Sequence, residues 1–194
     1  MKSFVALLLI SLLSLIAPSV SSPVSNPNTW TEQPKDLTDL SQFPPSFFQT
    51  TASPVPASIV KAYNLDFTPS NTTGTSIIAA GGVQASWTTK CETTEGSPVA
   101  WHTDVAVNWL RARGETQCIQ WQNPGCTRLI GFLSSNIAVC GEYHYWLWCD
   151  SAAGFTRSVF DQCRNWLGGD DRAGGFTVIQ GWPGSGDFRG MMVY

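Results

Sequence analysis

Hydrophobic positions in the C-terminal part of the chain switch between strand-like and helix-like spacing. The run 76–89 mixes β-branched and aromatic residues with small ones and predicts a first strand, interrupted near Gly81-Gly82. Ser97-Pro98 predicts the start of a helix, because serine caps free amide groups and proline needs no amide donor in the first turn. Gly114 should end it. The buried stripe of this helix is predicted to be Val105, Ala106, Trp109 and Leu110.

A second apolar region, 129–139, predicts another strand with a bend at Ser134-Ser135. Gly141-Glu142 is typical of a turn, so we expect a hairpin into a third strand over 143–149. Alternation in that strand divides its side chains between two faces. One face would carry Tyr143, Tyr145, Leu147 and Cys149, and the other His144, Trp146 and Trp148.

A second helix is predicted to begin after Asp150 or Ser151 and to run to Leu167, with Gly168-Gly169 as the stop. Its buried stripe would be Ala152, Phe155, Val159, Cys163, Trp166 and Leu167.

A last strand over 176–180, a glycine-rich turn over 181–186 and a final segment over 188–194 complete the chain and suit an extra hairpin. The order of elements is therefore βαββαβ. This order predicts an α+β fold of the split βαβ type, a two-layer sandwich with two helices packed on an antiparallel sheet and disulfides stapling the chain.

The first residues have the three-part layout of a secretory signal peptide. Lys2 supplies the charge, 4–16 is the apolar run, and small residues follow, so we expect a signal peptide over 1–21, cleaved between Ser19 and Ser22. The apolar run is shorter than the roughly 20 residues of a membrane-spanning helix. No later segment is apolar enough to span a bilayer, so we expect a secreted, extracellular protein.

The segment 22–75 is rich in Pro, Ser, Thr and Asn and is predicted to be a flexible leader ahead of a cysteine-rich domain over 76–194. Apolar residues over 57–63 suit one or two amphipathic turns docked on that domain. Asn71-Thr72-Thr73 is an N-glycosylation sequon in a predicted exposed loop. Whether the leader is removed after export stays open.

Six cysteines lie in the C-terminal half, an even number that predicts three disulfides in an oxidising compartment. They are Cys91, Cys118, Cys126, Cys140, Cys149 and Cys163. Zinc sites use closely spaced pairs of cysteines or of cysteine and histidine, and neither spacing occurs, so we expect no metal and no cofactor. Six cysteines allow about fifteen pairings, and the sequence leaves the pairing open.

Charge excludes some classes of partner. The formal net charge is −3, and basic residues are spread without a run. No basic stripe is present to neutralise a phosphate backbone, so we expect neither nucleic acid nor an anionic membrane surface as a partner. We expect a monomer that binds an unidentified extracellular protein or glycan.

Several residues could be catalytic by type, but each also has a structural interpretation. His102 and His144 could serve as acid and base of a small ribonuclease, but no known nuclease motif surrounds them, and a structural role is the preferred interpretation. Ser185 lies between glycines without the strand-turn-helix context of a serine nucleophile. Asp170-Asp171 sits in a glycine-flanked turn, where adjacent carboxylates are usually solvated. No catalytic residue is therefore predicted.

Tryptophan is the unusual component, with nine in the chain. Most must be buried, because indole rings supply large apolar area to a small core. Trp121 and Trp182 differ, since both lie in turns rich in Pro or Gly. Two interpretations stay open: the rings pack over the hydrophobic edge of the sheet, or they are exposed and offer a stacking surface for sugar rings or an anchor for a protein partner.

The order of these features resembles small secreted fungal cysteine-rich proteins of the killer-toxin-like and necrosis-inducing effector types. The residues that carry the resemblance are Cys91, Glu95-Gly96-Ser97-Pro98, Asp104-Val105, Pro124-Gly125-Cys126-Thr127, Ile137-Ala138-Val139-Cys140-Gly141, Cys163 and Arg172-Ala173-Gly174-Gly175. The resemblance covers roughly 87–194. It implies a fungal source, a small disulfide-bonded α/β sandwich, and antagonism or host interaction through binding.

The leading hypothesis is therefore a secreted, non-enzymatic effector or toxin-like protein that binds an extracellular or host target. Two alternatives from other classes stay open. One is a small secreted hydrolase that uses His102 and His144, and the other is a carbohydrate-binding module that uses Trp121 and Trp182.

Overall fold

A computed structural model describes residues 33–63, 75–79, 83–122, 125–180 and 189–194. Within these ranges the chain forms three α-helices and twelve short strands. The helices are α1 (Ala57–Ala62), α2 (Ala100–Ala112) and α3 (Cys149–Cys163). The strands are β1 (Phe48–Gln49), β2 (Ser53–Pro54), β3 (Thr75–Ala79), β4 (Val83–Cys91), β5 (Gln117–Ile119), β6 (Gly125–Phe132), β7 (Ser135–Gly141), β8 (Trp146–Trp148), β9 (Arg164–Leu167), β10 (Asp170–Ala173), β11 (Gly175–Gln180) and β12 (Gly190–Val193).

The main sheet has eight strands, in the order β1-β6-β7-β12-β11-β4-β3, with β2 also paired to β6. Every one of these pairs is antiparallel. Two small ribbons, β5–β8 and β9–β10, lie outside this sheet. The predicted α+β class, with helices on an antiparallel sheet, is confirmed. No helix in the described ranges combines the length and the apolar character that crossing a bilayer requires.

The core lies where α2 and α3 pack on each other and on the sheet. Its largest fully buried side chains include Phe132, Leu110, Ile130, Ile137 and Leu147. In α2 the predicted stripe is buried at Val105, Ala106 and Leu110, whereas Trp109 is only partly covered. The predicted cap is wrong by two residues: Val99 precedes the helix, and the Ser97 hydroxyl instead accepts a bond from the Thr94 amide at 2.9 Å.

Three disulfides connect all six cysteines, as predicted. Cys91 pairs with Cys163, Cys118 with Cys149, and Cys126 with Cys140. The first joins β4 to the end of α3, and the second joins β5 to the start of α3. The third links directly paired positions of β6 and β7. The bridges therefore hold both ends of α3.

Part of the predicted flexible leader is packed on the domain. Phe43 and Phe47 are buried against Phe132, and β1 and β2 add to the edge of the sheet beside β6. The predicted docking of 57–63 takes the form of α1, whose partly buried apolar residues pack on Val55 and the outer sheet face. The segment 43–62 is therefore packed on the domain, through contacts of its aromatic residues with Phe132 and of its apolar residues with the sheet.

Two predicted single strands are hairpins. The run 76–89 forms β3 and β4, which pair antiparallel, and the region 129–139 forms β6 and β7, which turn at Leu133-Ser134. The predicted hairpin through Gly141-Glu142 is wrong, because β7 pairs with β6 and β12 while β8 pairs with β5. The final hairpin, β11–β12, is confirmed.

The second predicted helix is too long. It ends at Cys163, and 164–167 forms a strand that turns at Gly168-Gly169 into β10. Both glycines have positive φ, 61° and 86°, which suits a tight hairpin turn. Trp166, predicted to be buried, is 70% exposed on this ribbon.

Candidate binding surface

The β5–β8 ribbon divides its side chains sharply between core and solvent. Its ladder extends past the strand ends, because the Gln120 amide donates to the Tyr145 carbonyl at 2.7 Å and the His144 amide donates to the Gln120 carbonyl at 2.8 Å. Alternate side chains point inward and are buried: Cys118, Gln120, Tyr145 and Leu147. The intervening positions therefore face solvent.

The outward positions of this ribbon and its turn are mostly aromatic. We call Trp121, Tyr143, His144, Trp146 and Trp148 the aromatic face. Trp121 is 47% exposed, Tyr143 49% and Trp146 39%. Together with the isolated Trp166 these are the large exposed hydrophobic side chains of the described residues. Such a concentration on one short ribbon is unusual for a surface that has no ligand or partner.

Ring contacts order the aromatic face. The His144 ring lies 3.8 Å from the Tyr143 ring in a stacked arrangement and 5.0 Å from the Trp121 ring at 90°. Trp146 and Trp148 contact each other edge to face at 5.1 Å. His144 was predicted to lie in a strand, but it occupies a turn with a φ of 67°. The left-handed backbone directs its ring between Trp121 and Tyr143.

A buried amide fixes the backbone beneath Trp121. Gln120 is fully buried, and its side-chain NH₂ donates to the Gly141 carbonyl at 2.8 Å. Its side-chain oxygen accepts from the Thr127 hydroxyl at 2.7 Å, and the Trp121 amide donates to that same hydroxyl at 2.7 Å. Nothing in the sequence pattern singles out Gln120. Its network makes Trp121 a rigidly placed platform rather than part of a loose loop.

The turn is also anchored by a buried arginine. Arg189 is 5% exposed, pairs with Glu142 at 3.4 Å, and lies 4.8 Å from the centre of the Tyr145 ring. Burial raises the pKa of Tyr145 to about 12, an effect that the Arg189 charge only partly offsets. Tyr145 therefore stays protonated at ordinary pH and serves the aromatic face as support.

A cleft of about 150 Å³ adjoins the aromatic face beside the C-terminal end of α2. Trp121 forms one wall, and Trp109 and Arg113 line the helix side. The Cys118–Cys149 disulfide lines its base. The Arg113 guanidinium lies 4.7 Å from the centre of the Trp109 ring, a cation–π contact.

His102 and His144 do not share a site. The His102 Nδ1 lies 2.7 Å from the Ser134 hydroxyl at the β6–β7 turn, whereas His144 lies beyond the opposite end of β7. Seven residues of strand place them roughly 20 Å apart. Burial lowers the pKa of His102 to about 4, which leaves it neutral and a weak base. The predicted histidine pair therefore cannot act on one bond.

The other predicted site residues have different outcomes. The sequence left open whether Trp121 is exposed or packs over the edge of the sheet, and its side chain is exposed. Trp182, Ser185, the sequon at Asn71 and the signal peptide over 1–21 lie outside the described residues. Asp170 and Asp171 pair with Arg172 and Arg164, so they are engaged structurally. No cluster of metal-ligating side chains occurs in the described part of the chain.

No protein-family model, curated protein or solved structure matches this chain. The aromatic face and its neighbouring cleft are the features of the described residues that point to a function.

Proposed function

We propose that this protein is a secreted binding protein of the effector or toxin-like type, which recognises sugars on an extracellular surface through the aromatic face. The observation that supports this most strongly is the exposure of Trp121, Tyr143 and Trp146 on one rigid ribbon. A pyranose ring presents C–H groups on its flat sides, and these pack favourably on an aromatic ring. The polar edges of the sugar remain free for hydrogen bonds.

Rigidity supports binding over a purely structural role. The ribbon is tied to α3 by the Cys118–Cys149 disulfide and to the sheet by the Gln120 network. A platform already held in place loses little conformational entropy when a ligand arrives. Aromatic residues that served only the core would be turned inward, as Tyr145 is.

The secreted setting is supported by the signal-like first residues and by three disulfides, which persist mainly in oxidising compartments. The fungal origin and the role in host interaction or antagonism rest on the resemblance of the cysteine and glycine pattern. A sugar-binding effector would use this scaffold to attach to a cell wall or to a glycosylated surface.

The test is titration calorimetry with cellohexaose, laminarihexaose and chitohexaose. We expect at least one of them to bind, and Trp121→Ala to weaken that binding at least about tenfold. Trp166→Ala is the matched control, because Trp166 is 70% exposed but lies on the β9–β10 ribbon. Equal losses for both variants, or no binding of the wild type to these or to any acidic oligosaccharide, would contradict the proposal.

Turnover is measured in the same samples. Chain-length analysis of each oligosaccharide, and of a single-stranded RNA, after prolonged incubation would reveal cleavage. Product formation that is absent from the His102→Ala, His144→Ala double variant would favour the hydrolase alternative and replace binding as the primary function. We expect every probe to be recovered intact.

A further inference from the structure

The cleft beside α2 contains an arginine that forms no ion pair with a carboxylate of the described residues. Arg113 follows the last residue of α2 and lines the cleft together with Trp121. Four other arginines of the described residues form ion pairs, but Arg113 does not. Its position is maintained instead by the ring of Trp109, 4.7 Å from the guanidinium carbon. Its donors are therefore available to a ligand in the cleft.

Two acidic residues lie near Arg113, but neither forms an ion pair with it. Glu115 follows in the same turn, and the Asp150 amide donates to the Gly114 carbonyl at 3.1 Å. Neither carboxylate approaches the Arg113 guanidinium within ion-pair distance. The whole molecule carries a net charge of −3, so the Arg113 charge is not part of a generally positive surface.

The size of the cleft suits one ring rather than an extended chain. Its volume is about 150 Å³. An apolar cavity of roughly that volume accepts a single benzene ring. Trp121 supplies a flat aromatic wall to this space and also belongs to the aromatic face, so a ligand bound along the face extends naturally into the cleft.

Resting on the proposed function, we propose that this cleft binds a carboxylate-bearing sugar unit of an acidic glycan. The pyranose ring packs on Trp121, and its carboxylate accepts hydrogen bonds from Arg113. Guanidinium and carboxylate are both planar and match each other through two parallel hydrogen bonds. A ring and a carboxylate at adjacent positions are the features that a uronic acid unit combines. A peptide carboxylate supplies the charge without the stacking ring.

The test compares tetragalacturonate with its fully methyl-esterified form, in which each carboxylate is replaced by a neutral ester. We expect the wild type to bind the acid at least about tenfold more tightly than the ester, and Arg113→Gln to remove most of that difference. Arg113→Lys should recover only part of it, because an ammonium group lacks the fork geometry. Raising NaCl from 0.05 to 0.5 M should weaken binding of the acid alone.

Controls separate this inference from general electrostatics and from the proposed function. Arg111→Gln removes the same charge from the last turn of α2 at an exposed position that does not line the cleft, and it should bind like the wild type. Equal binding of acid and ester with continued dependence on Trp121 would overturn the inference and leave the proposed function standing.

Absence of binding to either galacturonate form and to every neutral hexasaccharide would overturn both the inference and the proposed function. An Asp-Gly-Asp-Gly peptide forms the last arm. Binding of this peptide with equal dependence on Arg113 and no dependence on Trp121 would show that the cleft selects acidic peptides, and the sugar assignment would be wrong.

Discussion

Trp121 and His144 face each other just beyond the β5–β8 ladder, with ring centres 5.0 Å apart and ring planes at 90°. Tyr143 stacks on the other side of the imidazole at 3.8 Å. Three side chains that are 23 positions apart at their extremes in the chain thus form one contact group. His144 reaches this position only because its backbone adopts a φ of 67°, a conformation that glycine and asparagine tolerate best.

The first prediction separates the His144 ring from its backbone. His144→Gly keeps the positive φ but removes the ring, so we expect a free energy of unfolding within about 1 kcal/mol of the wild type. Loss of the aromatic contact should weaken oligosaccharide binding by roughly two- to tenfold. Urea unfolding and calorimetry provide the two measurements. His144→Val is the counter-variant and should be less stable than His144→Gly, because a β-branched residue is strained at positive φ.

The outcome that contradicts this prediction is a glycine variant with unchanged binding. Trp121 would then bind sugars without help from His144, and the His144 ring would have a structural role only.

Sequence patterns predicted most of the fold where structure is local. The stripe of α2 repeats every three or four residues, and a glycine-rich sequence separates the residues of β11 from those of β12, so both could be located. The strand β9 was missed because Trp166 and Leu167 continue the helical spacing of α3. Gly168-Gly169 ends a helix or turns a hairpin equally well, and only pairing with β10 decides between them.

The binding surface could be predicted only in part, because it depends on a non-local strand pair. The turn around Trp121 left two positions open for its ring, exposed or packed over the edge of the sheet, and the ring is 47% exposed. The strand β5 is three residues long, which is too short for any periodic signal. Between β5 and its partner β8 lie 26 residues of chain. The sequence shows that His144, Trp146 and Trp148 lie at alternate positions and so share one face of their segment. Which face of the segment is exposed to solvent depends on the disulfide between Cys118 and Cys149, and the sequence left that pairing open.

The disulfides predict an order of destabilisation. A disulfide lowers the conformational entropy of the unfolded chain, and this effect grows with the sequence separation of the two cysteines. The separation is 14 residues for Cys126–Cys140, 31 for Cys118–Cys149 and 72 for Cys91–Cys163. Replacing each pair by alanine should cost about 3, 3.7 and 4.4 kcal/mol respectively. Urea unfolding of the three double variants tests this order. The reverse order would show that unfolded-chain entropy is not the dominant contribution.

The packing of 43–47 on the core predicts that substitution of Phe43 lowers the free energy of unfolding strongly. This ring is 3% exposed and lies 5.1 Å from the Phe132 ring. Phe43→Ala should therefore lower the free energy of unfolding by about 3 to 5 kcal/mol. Ser46→Ala, an exposed change three residues later, should alter it by less than about 0.5 kcal/mol. Equal stability of the two variants would show that 43–47 is not part of the core.

His102 provides a pH dependence because its ring is buried in the folded protein. It is 8% exposed, its Nδ1 contacts the Ser134 hydroxyl at 2.7 Å, and its Nε2 has no hydrogen-bond partner among the described residues. Burial chiefly lowers the pKa of His102 to about 4, with smaller opposing effects of Asp170, which raises it, and Arg172, which lowers it. Protonation would put an unpaired positive charge beside Phe132.

The unfolded chain, with a histidine pKa near 6.5, takes up this proton first as the pH falls. The stability contributed by neutral His102 is therefore fully present above about pH 6.5 and is lost towards pH 4, by roughly 3 kcal/mol. Urea unfolding between pH 7.5 and 4.5 should show this loss in the wild type and a flatter profile in His102→Asn, since asparagine does not titrate. His144→Asn, at an exposed histidine, should retain the slope of the wild type. Parallel profiles for the wild type and His102→Asn would show that His102 is protonated in the folded state without penalty, and that other groups cause any loss.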